Sequence, residues 1–320
     1  MKKKFSFTQC VVVVLLCTGL VSVGIAVYMQ QLTDKLEQET FLILKEFAAQ
    51  DAQNLELQVK EDLSLLSSIA TAMSVLPTLD TPELTQLLQA ELAQSHYKNM
   101  EYATLDGMAR LDDGSFLDLT REPHFQKAAA GTPNISTRLQ DLLDTSSILV
   151  EAVPVRRNDE VTGVLLATIS TANFARTLDM QSFGGMGYSL LVEADGDKVV
   201  ESFHPNAISG LYNIFDMPDD PDHALRHQVL SDFSSRKSGI IKYKSAKAGI
   251  LYISYQPLSI NDWYLISVVP EQHIKKVTGT FITMLPMLCL LISLAAFVLG
   301  GYLCYVWPAL LQKLTSPDEA

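Results

Sequence analysis

Residues 148–170 read ILVEAVPVRRNDEVTGVLLATIS, and two apolar, β-branched runs, Ile148 to Val155 and Thr162 to Ser170, account for most of them. Runs of this length and composition, bounded by polar or turn-forming residues, are strand signals. Upstream, Met100 to Ala109 and Gly114 to Leu119 carry the same texture, with Glu122 to Ala130 as an intervening helix. Downstream a second set follows: Gly187 to Glu193, Val199 to Phe203, Gly239 to Ser245, Ile250 to Tyr255 and Trp263 to Val269. Asp195-Gly196-Asp197, Lys247-Ala248-Gly249 and Asn261-Asp262 mark turns between them. Gly184-Gly185-Met186-Gly187 precedes a strand rather than joining a strand to a helix, so it reads as a linker between two modules and not as a phosphate cradle.

Outward on the N-terminal side the period changes. Leu32, Leu36, Ile43, Phe47, Leu55, Val59, Leu63, Leu66, Ile69 and Met73 recur mostly every three or four residues, with no Pro or Gly between Gln30 and Met73. This pattern predicts one long amphipathic helix. Pro77, Asp80, Thr81 and Pro82 interrupt it, and Thr81-Pro82-Glu83 caps a second helix running through Leu92. The expected fold class is α+β: a long helix followed by two tandem modules with antiparallel sheets.

A charge-free, apolar block lies near each end of the chain. Cys10 to Tyr28 follows Lys2, Lys3 and Lys4, and a second such block runs from Phe281 to Trp307. Each is long enough to cross a bilayer core of about 30 Å at about 1.5 Å per residue. The basic N-terminus is expected to stay cytoplasmic, which puts the central region outside. The expected layout is 1–9 cytoplasmic, 10–28 spanning, 29–76 long helix, 77–183 membrane-distal module, 184–276 membrane-proximal module, 277–307 spanning and 308–320 a cytoplasmic tail. A cleaved secretory signal is the alternative for the first block, and it exports the central region equally.

All four cysteines, Cys10, Cys17, Cys289 and Cys304, fall in those end blocks, so the central region cannot depend on disulfides. The chain holds 24 basic and 36 acidic residues, a net charge of −12 with histidine neutral. Because Lys2, Lys3 and Lys4 lie outside the central region, that region is more acidic still, which argues against nucleic acid as a partner. His223 and His227, four apart beside Asp219, Asp220 and Asp222, have a spacing two metal ligands could use, but no third ligand completes it. A solvated acidic loop is the expected reading, with no metal and no cofactor. Nucleophile elbow, phosphate loop and zincin helix are all missing from the sequence, so no enzymatic activity is expected.

Four segments resemble the double Cache (PAS-like) sensor domains of bacterial receptors. They are Arg121 to Gly131; Val150 to Val155 with Gly163 to Leu166; Gly187 to Val192 with Asp195-Gly196 and Phe203 to Asn206; and Tyr255 to Leu258 with Asp262 to Leu265 and Val268 to Glu271. The resemblance implies an extracytoplasmic small-ligand sensor in the plasma membrane, with the ligand in the distal module. It further implies a pocket lined by Arg121, His124, Phe125, Leu139, Asp141 and Thr168. Amino-acid-binding members carry an aromatic where His124 stands, a Tyr where Leu139 stands and a carboxylate where Thr168 stands, so an α-ammonium group lacks its charged partner here. Arg121 instead suits an organic anion through its planar fork of donors, or else ties down its own loop through Asp118 or Asp141. Family members dimerise, so a homodimer is expected. The stretch after Pro308 is short, so output is expected through a membrane signalling partner or a missing C-terminal domain. A structural or assembly protein that keeps the fold without a ligand is the alternative.

Overall fold

The computed structural model describes residues 7–76, 82–111, 115–141, 144–181, 187–204, 207, 213–216, 223–246 and 249–272, with single positions between 287 and 306. The chain divides into two compact units, Ile43–Glu271 and, separately, Met1–Leu42 with Gln272–Ala320.

Helix α1 runs from Phe7–Met73 without interruption. In the larger unit it buries Leu44, Ala48, Ala52, Leu55, Val59, Leu66, Ile69, Ala70 and Met73, while Leu57 and Leu65 face out. Spacings of three and four produce that stripe. The sequence placed Ile43 and Phe47 in it, yet the structure buries their neighbours Leu44 and Ala48 and leaves those two exposed. Apolar side chains occupy both registers there, so periodicity alone did not separate the two faces. Helix α2 (Pro82–Leu92) follows, adding Leu84 and Leu88 to the same core.

The first sheet contains β1 (Asn99–Thr104), β2 (Met108–Arg110), β3 (Phe116–Asp118), β4 (Asn134–Ile135), β5 (Leu139–Gln140), β6 (Ser147–Arg157) and β7 (Glu160–Ser170). Its order is β3-β2-β1-β7-β6-β4, with β5 also on β6, and each pairing is antiparallel. The expected single run from Met100 to Ala109 is a hairpin, because Gly107 takes φ +85° and turns the chain back on itself. Asn158 and Asp159, both in the left-handed region, close the β6–β7 hairpin; side chains of this kind tolerate that conformation better than most. Helix α3 (Pro123–Ala129) lies where expected. Helix α4 (Thr171–Gln181), which the sequence reading does not include, begins directly after the strand run at Thr171, whose hydroxyl donates to Ser147 O at 3.0 Å.

The second sheet has the order β10-β11-β12-β8-β9, from β8 (Tyr188–Val192), β9 (Lys198–Val200), β10 (Gly239–Ser245), β11 (Gly249–Pro257) and β12 (Tyr264–Pro270). Helix α5 (Ala224–Ser234) covers one face, where Phe233 stacks on Tyr264 at 3.7 Å between ring centroids. The other face contributes Leu191, Val199, Val200, Trp263 and Leu265 to the cluster that also holds α1, α2, α4 and the inner side of the first sheet. The α+β class, the long helix and the two antiparallel sheets are therefore as expected. Residues 182–186, which include most of the anticipated Gly linker, and Asp219, Asp220 and Asp222 lie outside the described residues. Much of the second charge-free block does too, and among the described residues no helix is long and apolar enough to cross a membrane.

Candidate functional site

Strand alternation gives the first sheet two different faces. Leu149, Val153 and Val155 of β6 and Leu165, Ala167 and Ile169 of β7 face α1 and α2. Ile148, Val150 and Ala152 of β6 and Val164 and Leu166 of β7 face the other way, toward α3. Cross-strand register sets Asn99, Thr168 and Val150 in one row and Glu101, Leu166 and Ala152 in the next. The Asn99 amide donates to Glu101 Oε1 at 3.1 Å.

Over this face α3 is held at both ends. Pro123 occupies its first turn, where a missing N–H costs nothing. Beyond its last turn Gly131 takes φ +96°, and Arg156 Nη2 donates to its carbonyl at 3.1 Å. Asn134 Nδ2 donates to the His124 carbonyl at 3.0 Å, tying the helix to β4. His124, Phe125 and Ala128 point inward as a result. Phe125 joins Leu119, Ala103, Ala109 and Ala128 in an apolar cluster on the sheet, and Leu117 and Leu139 pack against it. Burial pushes the His124 imidazole down to about 4, so it is neutral at physiological pH.

The six anticipated pocket residues do not converge. Phe125 and Leu139 share the apolar cluster, and Thr168 lies half-buried in register with its member Val150. His124 is buried on the inner side of α3, with Nδ1 3.9 Å from Glu122 Oε2. Arg121 is exposed at the turn before α3, where its charge helps hold the Asp118 carboxyl below the usual range, after the larger effect of hydrogen bonds from Thr120. Asp141 sits elsewhere: Lys98 Nζ donates to Asp141 Oδ2 at 2.6 Å and to Asp144 Oδ2 at 2.7 Å, pinning the turn after β5 to the start of β1. Of the two carboxylates suggested as anchors for Arg121, Asp118 is therefore the neighbour and Asp141 belongs to Lys98.

Sequence reasoning passed over Asn99 and Glu101, polar groups on the α3-facing side. They alternate with Met100 and Tyr102, and that alternation was the available signal. The face under α3 presents apolar side chains, a neutral imidazole and a few polar atoms at its edge. His227 lies within α5 and His223 immediately precedes it, and among the described residues no group of three His, Cys, Asp or Glu side chains could hold a metal ion.

A family model for the double Cache domain, described as "Cache domain", matches residues 28–276. Solved structures share the fold at low identity. The ligand-binding domain of the Pseudomonas fluorescens chemoreceptor CtaA, in complex with L-serine, aligns with a TM-score of 0.56 at 17% identity, covering 74% of this chain and 99% of that one. The corresponding domain of the Pseudomonas aeruginosa PAO1 amino acid chemoreceptor PctB, with L-Arg, gives 0.53 at 21% identity over 73% and 97%. That of PctC from the same organism, with GABA, gives 0.50 at 17% identity over 72% and 100%. No curated protein matches the chain.

Proposed function

The chain belongs to the double Cache family of ligand-binding sensor domains, and from that premise we propose that it is a two-pass plasma-membrane sensor that takes up a small organic molecule outside the cell, in its first module. The observation that carries this reading is the arrangement of α3 over one face of the first sheet while α1 packs on the other. A ligand seated under α3 acts on a sheet whose reverse side supports the long helix. CtaA, PctB and PctC hold amino acids or GABA. Here Thr168 and Leu139 supply no charge, so the preferred class is a small organic anion met by Arg121.

Two membrane spans, 10–28 and 277–307, are supported by the absence of charge in both charge-free blocks. Large apolar side chains are also exposed along them: Val12, Leu16, Leu20, Val21, Val23 and Val27 near one end, Leu290, Leu291, Ile292, Leu294 and Val298 near the other. Such a concentration is unfavourable in water and natural in lipid. Exposed Leu57 and Leu65 on α1 support a homodimer. Output passes to a signalling partner in the membrane or to a further domain. The input module is not catalytic.

The test is a thermal-shift screen of the full chain in detergent against organic acids, amino acids, amines, nucleobases and sugars, with Arg121→Ala alongside. A ligand at about 100 times its Kd stabilises the native state by about 2.7 kcal/mol. A hit lost in Arg121→Ala supports an anion at this site; a hit that survives keeps the sensor and removes Arg121 from it. A second reading, a scaffold that binds nothing, is favoured by the apolar packing of Phe125, Leu119 and Leu139 under α3 and by the exposure of Arg121. A folded chain with no hit in any class supports it.

A further inference from the structure

The inner face of the first sheet carries a carboxyl where its neighbours are apolar. Glu151 of β6 is fully buried, flanked in register by Ala167 of β7 and Ile135 of β4. Tyr97, between α2 and β1, donates its hydroxyl to Glu151 Oε2 at 2.6 Å. The other oxygen, Oε1, has no hydrogen-bond partner. Asp62 reaches into the same cluster from α1, and its Oδ2 is likewise buried without a hydrogen bond. The imidazole Nε2 of His96 stands 3.7 Å from that atom. His96 is itself half-exposed and stacks on Tyr97, with ring centroids 4.4 Å apart. Around them lie Leu55, Val59, Leu66 and Leu149 of the shared core.

Two carboxyls from two elements are thus joined through the stacked rings of His96 and Tyr97, each with one buried oxygen that has no hydrogen bond. Both being ionised there is expensive, since among the described residues no cation acts on Glu151 and its buried surroundings screen poorly. The ionisable groups acting on the pair are Glu61 and Asp62 from α1 and His96 and Tyr97 from the α2–β1 segment, while β4 and β7 present only apolar neighbours. Burial, then the Asp62 charge, raises the Glu151 carboxyl to about 8 against the lowering effect of the Tyr97 hydroxyl. Burial also raises Asp62, with His96 opposing and Glu61 adding to the shift.

We propose that Asp62 and Glu151 form a proton-binding site that latches α1 to the first sheet, so that the protein takes the proton as an input separate from any ligand under α3. While the pair holds one proton, α1 is seated. When that proton passes to solvent, two like charges remain in the core and α1 loosens against β6.

The sign follows from linkage. Glu151 is protonated in the folded chain and ionised in the unfolded chain between about 4.5 and 8. The folded state therefore binds the extra proton, and stability falls as pH rises through that interval.

The experiment uses the full chain in detergent, comparing wild type with Glu151→Gln and Asp62→Asn from pH 5.5 to 9.5. The wild-type unfolding midpoint is expected to drop relative to Glu151→Gln as pH rises, with the variant the more stable at the alkaline end. Asp62→Asn, which removes the neighbouring charge but keeps Glu151, is expected to lower the pH at which folded Glu151 ionises, so that the drop ends at lower pH and is smaller. Amide exchange in residues 55–69, corrected for its intrinsic pH dependence, is expected to rise roughly tenfold between pH 6 and 9 in wild type and not in Glu151→Gln. A wild-type midpoint that stays parallel to Glu151→Gln at every pH overturns the latch, as does exchange that rises equally in both. Should Glu151→Gln not fold, a drop unchanged in Asp62→Asn overturns it alone.

Discussion

Gly163 of β7 lies opposite Thr104 of β1, and the Tyr102 ring rests over it. The Tyr102 hydroxyl donates to Thr162 O at 3.1 Å, which fixes the ring in place. A Cβ at residue 163 would overlap that ring. Gly163→Ala is therefore expected to destabilise the chain by about 1–3 kcal/mol through overpacking, read as a lower midpoint in denaturant unfolding. An unchanged midpoint would show that Tyr102 can move aside. The second sheet repeats the device, with Gly239 paired to Tyr255 and lying under its ring. Single residues were unevenly legible in the sequence. Glu151 stands out there as a lone charge in the run ILVEAVPV. Its companion Asp62 does not, because a period assigns a residue to a face and says nothing of what that face meets.

Elements were easier to read than their partners. The long helix, α2, α3 and most strands follow from spacing and from Gly, Pro and Asx punctuation, whereas the β1–β2 turn and α4 were absorbed into neighbouring apolar runs. The docking face of α1 needed tertiary information, since Leu65 and Leu66 are adjacent in sequence and opposite in burial, at 51% and 0% exposure. Truncating each separates the two faces. Leu66→Ala is expected to cost about 2–5 kcal/mol, the range for opening a cavity in a packed core. Leu65→Ala should change stability by no more than about 0.5 kcal/mol. Chemical denaturation of both variants checks this, and equal losses would mean that α1 is packed on both sides, as in a tight dimer. The candidate site was less legible than the fold for the same reason. Arg121 carries chemistry that suits a carboxylate and Asp141 chemistry that suits a cation, but the turn before α3 exposes the first and Lys98 engages the second.

At the scale of the whole molecule the governing asymmetry is between a charge-free block near each end and an acidic middle. Lys2, Lys3 and Lys4 precede the first block, and a basic start of this kind is retained on the cytoplasmic side. On the proposed topology the middle is exported, and its lack of cysteine leaves its stability to packing. An orientation test follows directly. With Cys10, Cys17, Cys289 and Cys304 replaced by Ala, Gln126→Cys places one thiol on the exposed side of α3. A membrane-impermeant maleimide is expected to label it in intact cells as fully as in lysed ones. Labelling that requires lysis would put the middle in the cytoplasm and remove the extracytoplasmic sensor, whatever ligand the first module binds. The mass of the mature chain settles the remaining choice at the N-terminus: retention of the first block makes it an anchor, and its loss makes it a cleaved signal, with the second block alone holding the exported region to the membrane.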